Sequence, residues 1–523
     1  MAHQTEAPRS SRRSHWNNHL QRHAHSRPDR AAFRYQGETT TWSELRERVD
    51  RLAEALAGRG IGSGDRVALL MGNRPEFMEI VLAANQLGAI GVPVNFRLSG
   101  GEVAYILDDS GAEILFADGV AEKAARDAVE RSSREVSVVT VDAEPWAGAE
   151  GYESLLQDGS PEPRPEPVDV SEDSPALIMY TSGTTGRPKG AVLSHQNLLS
   201  ECVVLIRAYE LCGEHEVNLV ASPMFHIGAI GSIAPLMLIG GTMVVLPSAA
   251  FDASHVLDLL EEERVTSAFL VPTQWQGLCS EPDVGKRDLS QLRTTSWGAA
   301  PATDKLLRQM GETFPDALNV AVFGQTEMSP ITCVLEGKDA LRKLGSVGKP
   351  VATVATRVVD EDMNDVEPGD VGEIVYQGTG LMEGYWNNAE ATAEAFEGGW
   401  FHSGDLVRMD EEGFLYVVDR AKDMIISGGE NIYCAEVENV LSDHPDIKEV
   451  SVIGREHPKW GETPVAVVVA NRPDSGLDIE TLRDWASEHL ARYKLPTALE
   501  LVDELPRNAA GKVLKPALRD QLG

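Results

Sequence analysis

The chain has 523 residues and carries 81 acidic side chains against 47 Lys and Arg side chains, a formal net charge of −34. Such a negative protein repels nucleic-acid phosphates and anionic lipid headgroups, so neither is expected as a partner. Apolar runs of about eighteen residues are absent, so no integral membrane segment is predicted. Five scattered cysteines without a CxxC pair argue against disulfides and a zinc site. The composition predicts a cytoplasmic enzyme of several domains.

Taken in chain order, the sequence changes character near residue 30. The first thirty residues are rich in Arg and His and lack the apolar core of a secretory signal, so we expect a frayed N-terminus. Thr41 and Glu44 then form a capping box that predicts a helix. Short apolar runs predict strands over 66–71, 89–94, 176–180, 217–220, 242–246, 266–271 and 318–323, and a helix over 75–87. This alternation is typical of parallel sheets covered by helices.

Two further changes indicate the domain organisation. Five prolines between residues 157 and 175 predict an extended surface connector, because this spacing suits neither a helix nor a central strand. Beyond residue 420, about a hundred residues suffice for a small domain, with predicted strands near 450–453 and 465–469 and a helix over 481–491. We predict an α/β fold: a large N-terminal domain (1–420) of helix-covered, mostly parallel sheets and a small, mobile α+β C-terminal domain (421–523).

The segment from Tyr180 to Gly190, YTSGTTGRPKG, predicts a polyphosphate-binding loop. Its glycines allow backbone N–H groups to approach an anion, its hydroxyls donate hydrogen bonds, and Lys189 supplies positive charge. It differs from a Walker A loop, which ends in Gly-Lys-Ser/Thr, because Pro188 precedes the lysine and Gly190 follows it. The sequence also lacks the GxSxG and HExxH motifs of common hydrolases.

This loop and seven later segments together resemble the adenylate-forming superfamily, which includes acyl-CoA synthetases, firefly luciferase and peptide-synthetase adenylation domains. In family order, the later segments are 223–226 (PMFH), 297–301 (WGAAP), 323–327 (FGQTE), 402–405 (HSGD), 419–420 (DR), 427–431 (SGGEN) and 506–512 (PRNAAGK). The resemblance runs from about residue 16 to the C-terminus. Within the superfamily, the chain is most similar to actinobacterial fatty-acid–CoA ligases.

The resemblance implies a two-step ligase reaction. A carboxylate attacks the α-phosphorus of ATP, giving acyl-AMP and pyrophosphate, and the thiol of CoA then displaces AMP. Both steps bring anions together, so the protein must supply positive charge and oriented donors. The implied cofactors are ATP, Mg²⁺ and CoA as cosubstrate. The implied partners are these molecules and a small carboxylic acid, and a homodimer stays open.

The resemblance also assigns the nucleotide-binding residues. Phosphate binding falls to Thr181, Ser182, Gly183, Thr184, Thr185 and Lys189. The adenine slot and the strand end beside it comprise Gly298, Ala299, Ala300, Phe323, Gly324, Gln325 and Thr326, of which Thr326 donates to the α-phosphate. Glu327 would hold Mg²⁺, and Asp405 and Arg420 would bind the ribose. The family usually has Tyr where Phe323 stands, so ring stacking is kept and a phenolic hydrogen bond is lost.

Catalysis is assigned to Lys512, Glu327, Thr184 and His226. Lys512 lies on a predicted C-terminal loop, where its flexible cation would bridge the acid and the α-phosphate. Lys422 corresponds to the hinge about which family members rotate the C-terminal domain. That rotation would replace Lys512 by a CoA-side loop of Ser427, Gly428, Gly429 and Glu430.

The acyl pocket would be formed by His226, Ile227, Gly228, Trp297 and Gly324. Acetate-activating relatives commonly carry Trp at the position of Gly324, so glycine argues against a very short acid. The apolar surroundings favour a medium- to long-chain fatty acid, since each buried CH2 contributes about 0.8 kcal/mol. The Trp297 indole limits the depth, and an aryl acid stays open.

Three other functions remain as alternatives. A stand-alone adenylation enzyme would load the acid onto a carrier protein instead of free CoA. A luciferase-like oxygenase is disfavoured on family grounds. A non-catalytic acyl-CoA-binding relative would not need the adenylation machinery, and this sequence retains all of it: Lys189, Glu327, Asp405, Arg420 and Lys512.

The hinge assignment predicts that Lys422→Pro separates the two half-reactions. Proline restricts φ, so the variant should form acyl-AMP at close to the wild-type rate while thioester formation is blocked. Pyrophosphate release and CoA thioester formation, measured separately on one preparation, check this. An equal loss in both half-reactions would overturn the assignment.

Overall fold

The computed structural model describes residues 13–146, 148–159, 168–181, 187–300, 302–420, 423–427, 430–472, 476–487, 489–507 and 513–522. For Arg420 and Glu430 only the backbone is described. Among the helices of these ranges, none combines the length and the apolar character that crossing a lipid bilayer requires.

The helices of the described residues lie in both parts of the chain. They are α1 (Trp16–Ser26), α2 (Trp42–Gly58), α3 (Pro75–Gln86), α4 (Gly100–Ser110), α5 (Glu122–Arg131), α6 (Tyr152–Gln157), α7 (His195–Ala208), α8 (Ile227–Ile239), α9 (Ala253–Glu262), α10 (Pro272–Ser280), α11 (Asp304–Thr313), α12 (Ala389–Ala395), α13 (Cys434–Ser442), α14 (Ile479–Ser487) and α15 (Lys515–Leu522). The capping box predicted at Thr41 and Glu44 forms at the start of α2.

The strands form four sheets. Up to residue 420 they are β1 (Ala31–Tyr35), β2 (Glu38–Thr41), β3 (Arg66–Leu70), β4 (Ile90–Pro93), β5 (Ile114–Asp118), β6 (Ser137–Val141), β7 (Ala149–Gly151), β8 (Pro175–Thr181), β9 (Lys189–Ser194), β10 (Val217–Val220), β11 (Thr242–Val245), β12 (Ser267–Leu270), β13 (Thr294–Gly298), β14 (Leu318–Gly324), β15 (Ile331–Leu335), β16 (Lys349–Pro350), β17 (Val354–Val359), β18 (Val371–Gly378), β19 (Gly384–Tyr385), β20 (Phe401–Met409) and β21 (Leu415–Arg420). Beyond it they are β22 (Ile425–Ser427), β23 (Glu430–Ile432), β24 (Ile447–His457), β25 (Gly461–Ala470) and β26 (Ala498–Leu501).

Two large sheets dominate the N-terminal part. One runs β16-β15-β14-β13-β12-β10-β11-β1-β2, and the other runs β19-β9-β8-β4-β3-β5-β6-β7. In the first sheet the pairs from β14 across to β1 are parallel, as are those from β8 to β7 in the second. The predicted α/β class with mostly parallel sheets is confirmed, and each strand predicted from an apolar run overlaps an observed strand.

Helices fill the space between the two large sheets and cover their outer faces. The largest apolar cluster contains residues of α2, α3, α7 and α8 together with inward-facing residues of both sheets. A second cluster packs α9, α10 and α11 on the outer face of the first sheet, and a third packs α4 and α5 on the second. Parallel strands buried on both faces explain the near-continuous apolar runs in the sequence.

Two smaller sheets follow. An antiparallel sheet runs β17-β18-β20-β21, and its last strand ends at Arg420. The next sheet runs β23-β22-β25-β24, with β26 parallel to β25, and is covered by α13 and α14 on one face and α15 on the other. The boundary at residue 420 stays a prediction. In the predicted proline connector, residues 160–167 lie outside the described residues, and 168–174 form neither helix nor strand.

The N-terminal expectation is wrong for residues 16–26, which form a packed helix. Trp16, Leu20 and His23 on one face of α1 are buried. The Trp16 indole N–H donates to Asn85 at 2.8 Å, and His23 Nε2 donates to the carbonyl of Met237 in α8 at 3.0 Å. Histidine takes apolar positions here, because the neutral ring packs like a small aromatic, and this hides the helical period in the sequence. Residues 1–12 lie outside the described residues.

Four buried histidines, His15, His19, His23 and His195, cluster where α1 meets α7 and α8. Burial lowers the pKa of His19 and of His195 from 6.5 to about 3, and that of His23 to about 4. As the pH falls below 6.5, these histidines therefore become protonated in the unfolded chain while they stay neutral in the folded chain. The free energy of unfolding that these neutral histidines contribute is fully present above pH 6.5 and is lost progressively as the pH falls below it.

We expect the melting temperature to fall between pH 7.5 and pH 5, and to fall less in His195→Leu, which removes one of these groups. At pH 5, protonation of His195 in the unfolded chain lowers the free energy of unfolding by about 2 kcal/mol. His255→Leu, at an exposed position, is the matched control and should follow the wild-type curve. Identical pH dependence in wild type and His195→Leu would contradict this account.

Candidate active site

The glycine-rich segment joins β8 and β9, which pair as an antiparallel hairpin. Thr181 pairs with Lys189, and the Thr181 hydroxyl lies 3.5 Å from the carbonyl of Lys189. The neighbouring Tyr180 hydroxyl donates to Asp109 at 2.6 Å, which ties the end of β8 to α4. The predicted phosphate-binding residues Ser182, Gly183, Thr184 and Thr185 lie outside the described residues. The structure places Thr181 and Lys189 at the two ends of the loop.

A tyrosine that the sequence analysis did not single out links the predicted phosphate and metal residues. Strand β19 pairs with β9 and places Tyr385 opposite Ala191. Lys189 Nζ lies 5.1 Å from the centroid of the Tyr385 ring, and the Tyr385 hydroxyl donates to Glu327 Oε1 at 3.0 Å. Burial, with Glu327 beside it, raises the pKa of Tyr385, so the phenol stays a donor. Lys189, Tyr385 and Glu327 thus form one unit.

Glu327 is held in place by its backbone. It lies in a single 3-10 turn, Thr326–Met328, directly after β14, and is only 8% exposed. Its carbonyl accepts from the N–H of Met382 at 2.8 Å. The Asn197 side chain of α7 donates to the carbonyls of Thr379 and Leu381 at 2.9 and 2.8 Å, which fixes the same segment.

The donor set at Glu327 fits a magnesium ion that arrives with the nucleotide. Within the described ranges, no group of three or more His, Cys, Asp or Glu side chains could enclose a metal ion. Mg²⁺ commonly binds through one or two carboxylates and completes its shell with phosphate oxygens and water. A single buried carboxylate near the phosphate loop suits that mode.

The predicted adenine residues lie at the carboxyl ends of β13 and β14. Gly298 ends β13, where a Cβ would lie 2.3 Å from the carbonyl oxygen of Val322, so only glycine fits. Ala299 follows with φ of 64°, and Ala300 comes next. Phe323, Gly324, Gln325 and Thr326 continue from β14. Gln325 Nε2 is buried without a hydrogen-bond partner in the described structure, so it is a donor suited to a ligand atom.

Asp405 and Arg420 face each other across β20 and β21, as expected of residues that act on one ribose. Asp405 is 2% exposed, and its backbone N–H donates to the Ser403 hydroxyl at 3.0 Å. The Ser403 hydroxyl in turn donates to the carbonyl of Ile374 at 2.5 Å, which fixes the backbone just before Asp405. The backbone of β21 places Arg420 beside Asp405.

His226 caps the N-terminus of α8, and its Nδ1 accepts from the N–H of Gly228 at 3.3 Å. In the neutral ring the proton therefore lies on Nε2, the nitrogen able to donate toward an acid. Beside it, the Phe269 ring lies between two predicted site glycines. A Cβ at Gly228 would lie 3.5 Å from Phe269, and one at Gly298 would lie 3.3 Å from it. Ile227, the first residue of α8, is buried in the same cluster.

Two predicted acyl-pocket residues have different surroundings from those expected. The Trp297 indole packs in the cluster around α10 and α11, on the face of the sheet opposite α8, and donates to Asn319 at 2.9 Å. The side chains of a strand alternate, so its neighbour Ser296 faces α7 instead. At Gly324, a Cβ would lie 1.9 Å from the carbonyl oxygen of Pro330. Close backbone approach requires this glycine, whatever acid binds.

The C-terminal residues assigned to catalysis and rotation are described only in part. Lys422, Gly428, Gly429 and Lys512 lie outside the described residues. Ser427 ends β22, where it pairs with the backbones of Glu430 and Gly461. Next to the hinge position, Arg519 of α15 donates to Asp423 at 2.9 Å, so the helix after the catalytic-lysine segment is tied to the start of the domain.

Comparisons with known proteins identify the family of this chain. The AMP-binding enzyme family matches residues 20–386, and the AMP-binding enzyme C-terminal domain matches residues 436–512. Feruloyl-CoA synthase from Amycolatopsis sp is 41% identical over 96% of this chain and 98% of its own length. Indoleacetate–CoA ligase from Aromatoleum aromaticum is 39% identical over 96% of both chains.

Two further similarities extend the comparison. Long-chain-fatty-acid–CoA ligase FadD13 from Mycobacterium tuberculosis is 36% identical over 92% of this chain and 93% of its own. The structure of o-succinylbenzoate coenzyme A synthetase (MenE) from Bacillus subtilis, in complex with ATP and magnesium ion, superposes with a TM-score of 0.84 and 33% identity, covering 96% and 99% of the chains. The chain belongs to the AMP-binding enzyme family of adenylate-forming enzymes and is an ATP-dependent, AMP-forming acid–CoA ligase.

Proposed function

We propose that this ligase activates an aromatic carboxylic acid and transfers the acyl group to free CoA. The observation that carries the choice of acid is the surface beside His226, where the Phe269 ring lies between Gly228 and Gly298. Backbone walls and one aromatic ring suit a planar group, because offset stacking needs a flat face and little depth.

Polar groups lie further along the same face of β13. Ser296 lies two residues before Gly298 on the same face of β13, and its hydroxyl is 2.7 Å from that of Tyr209 at the end of α7. Two residues along a strand span about 7 Å, close to the length of one substituted ring. The names of the feruloyl and indoleacetate relatives support the same choice.

A medium- to long-chain fatty acid is the second candidate. Helix α8 begins Ile-Gly-Ala-Ile-Gly, and Ile227, Ala229 and Ile230 are buried in the central apolar cluster. This wall offers no second charge for the substrate, and the FadD13 relative supports the fatty-acid reading by its name.

In the proposed adenylation step, the chain's own residues bind and orient two anions. Lys189 attracts the polyphosphate, while Tyr385 orients the Glu327 carboxylate through its hydroxyl. Mg²⁺ bound at Glu327 would neutralise phosphate charge. His226 Nε2 donates toward the acid, and Asp405 with Arg420 binds the ribose. Lys512 supplies the cation between the acid and the α-phosphate, and rotation at Lys422 then removes it so that the thiol of CoA reaches the anhydride.

An acid panel with ATP, Mg²⁺ and CoA tests the choice of substrate. Comparing cinnamate, phenylacetate and benzoate with octanoate and palmitate, we expect kcat/KM for at least one aromatic acid to exceed both fatty acids by tenfold or more. AMP release measures the rate. A higher kcat/KM for octanoate or palmitate than for every aromatic acid would contradict the proposal and favour the second candidate.

The acceptor is tested separately. With the preferred acid, we expect saturable thioester formation with free CoA at the concentrations usual for CoA ligases. Phosphopantetheinylated carrier protein serves as the competing acceptor, and mass spectrometry of the thioester product reads out both. Transfer to the carrier together with failure to saturate in CoA would show that the enzyme loads a carrier.

The contact between Tyr385 and Glu327 predicts a graded effect of two variants. Tyr385→Phe loses the hydroxyl and keeps the ring beneath Lys189, so adenylation should fall about 10- to 100-fold, the usual worth of a hydrogen bond to a charged group. Tyr385→Leu loses both contacts and should fall further. Acid-dependent pyrophosphate release at several Mg²⁺ concentrations measures this, and equal rates in Tyr385→Phe and wild type would refute the assigned role.

A further inference from the structure

Glu201 on α7 is a buried carboxyl group that the proposed reaction does not use. Glu201 is only 3% exposed. Oε2 accepts from the backbone N–H of Ile331 at 3.4 Å, whereas Oε1 is buried without a hydrogen-bond partner in the described structure. A buried polar atom left unpaired is costly, so Oε1 requires an explanation.

The place of Glu201 connects it with the acyl region. Ile331 pairs with Gly324, the glycine at the end of β14 that the family resemblance assigns to the acyl pocket. Pro330 precedes it, and a Cβ at Gly231 of α8 would lie 3.3 Å from the Pro330 ring. The carboxyl therefore lies where α7, α8 and the β14–β15 connection meet.

One face of α7 carries the residues that line this junction. Glu201, Leu205 and Tyr209 follow at intervals of four residues, which places them on the same side of the helix. A Cβ at Gly231 would lie 3.9 Å from Leu205, and the Tyr209 hydroxyl contacts Ser296 on β13. This face of α7 therefore has an apolar middle, Leu205, and polar ends, Glu201 and Tyr209.

The hydrogen bonds of Glu201 indicate which atom carries a proton. Burial raises the pKa of Glu201 well above its usual value and so favours the protonated, neutral carboxyl. Because Oε2 already accepts from Ile331, the proton lies on Oε1. Oε1 is therefore a hydrogen-bond donor, and its missing partner is an acceptor.

We propose that the Glu201 hydroxyl donates a hydrogen bond to an uncharged oxygen, such as a hydroxyl or ether oxygen, on the ring of the aromatic acid, at the end far from its carboxylate. This inference rests on the proposed aromatic substrate and adds a specificity determinant to it. An acid that lacks the oxygen leaves the buried donor unpaired and is activated less well.

A substrate pair that differs in one atom tests the proposal on the wild-type enzyme. 4-Methoxycinnamate and 4-ethylcinnamate are nearly equal in length and volume, and only the first offers an acceptor oxygen. We expect kcat/KM to be at least tenfold higher for 4-methoxycinnamate, the worth of one buried hydrogen bond. Equal values for the two acids would overturn the inference without recourse to any variant.

Two variants locate the discrimination at Glu201. Glu201→Gln keeps an oxygen that accepts from Ile331 and an N–H that donates in place of Oε1, so the ratio of the two kcat/KM values should stay within about threefold of wild type. Glu201→Met has similar length and no donor, so the ratio should approach one. A general loss of packing would lower both acids alike and leave the ratio unchanged, and that result in Glu201→Met would overturn the inference.

The outcomes separate this inference from the proposed function. Activation of both cinnamates with no preference for the methoxy acid refutes the role of Glu201 and leaves the aromatic substrate standing. Failure to activate any aromatic acid, with fatty acids turned over, refutes the proposed substrate and the inference together. A preference in wild type that survives in Glu201→Gln and disappears in Glu201→Met supports both.

Discussion

The site depends on keeping a lysine and a glutamate near each other without direct contact, inside a strongly acidic protein. In the proposed reaction Lys189 binds the polyphosphate and Glu327 binds its metal ion, and direct contact between the two side chains would neutralise both charges. The Tyr385 ring lies beneath the ammonium group at 5.1 Å, and its hydroxyl binds the carboxylate at 3.0 Å. Strand β19 is a two-residue partner of β9, and it brings this tyrosine to the hairpin that carries the predicted phosphate loop.

The remaining framework positions the other reactants around that unit. Parallel strands β13 and β14 end side by side, which places Gly298 and Phe323 next to each other and delivers Glu327 one turn later. Helix α8, whose N-terminus is capped by His226, lies on the same face of this sheet as the Phe269 side chain. Helix α7 fixes the segment of Met382 through Asn197 and, by the proposal above, presents Glu201 to the acid. One helix thereby holds the segment that contacts Glu327 and, by the same proposal, contacts the acyl group.

Much of this could be predicted from local sequence. The strands appeared as short apolar runs because both faces of a parallel sheet are buried. The phosphate loop stays a prediction, made from glycines, hydroxyls and a lysine within ten residues, because residues 182–186 lie outside the described ranges. Features that depend on contacts distant in sequence could not be predicted. Tyr385 reaches Glu327 across 58 residues, and Glu201 reaches Ile331 across 130. Helix α1 was missed because histidines occupy its buried face. The face of the sheet on which the Trp297 side chain lies could not be predicted, because it depends on the residue at which β13 begins.

Acid-dependent exchange of labelled pyrophosphate into ATP tests the central claim, that these residues assemble an acyl-adenylate site, most directly. The account predicts exchange that requires an aromatic acid and Mg²⁺, proceeds without CoA and is strongly reduced in Glu327→Gln. Absence of exchange with every aromatic and fatty acid, or exchange at the wild-type rate in Glu327→Gln, would contradict it.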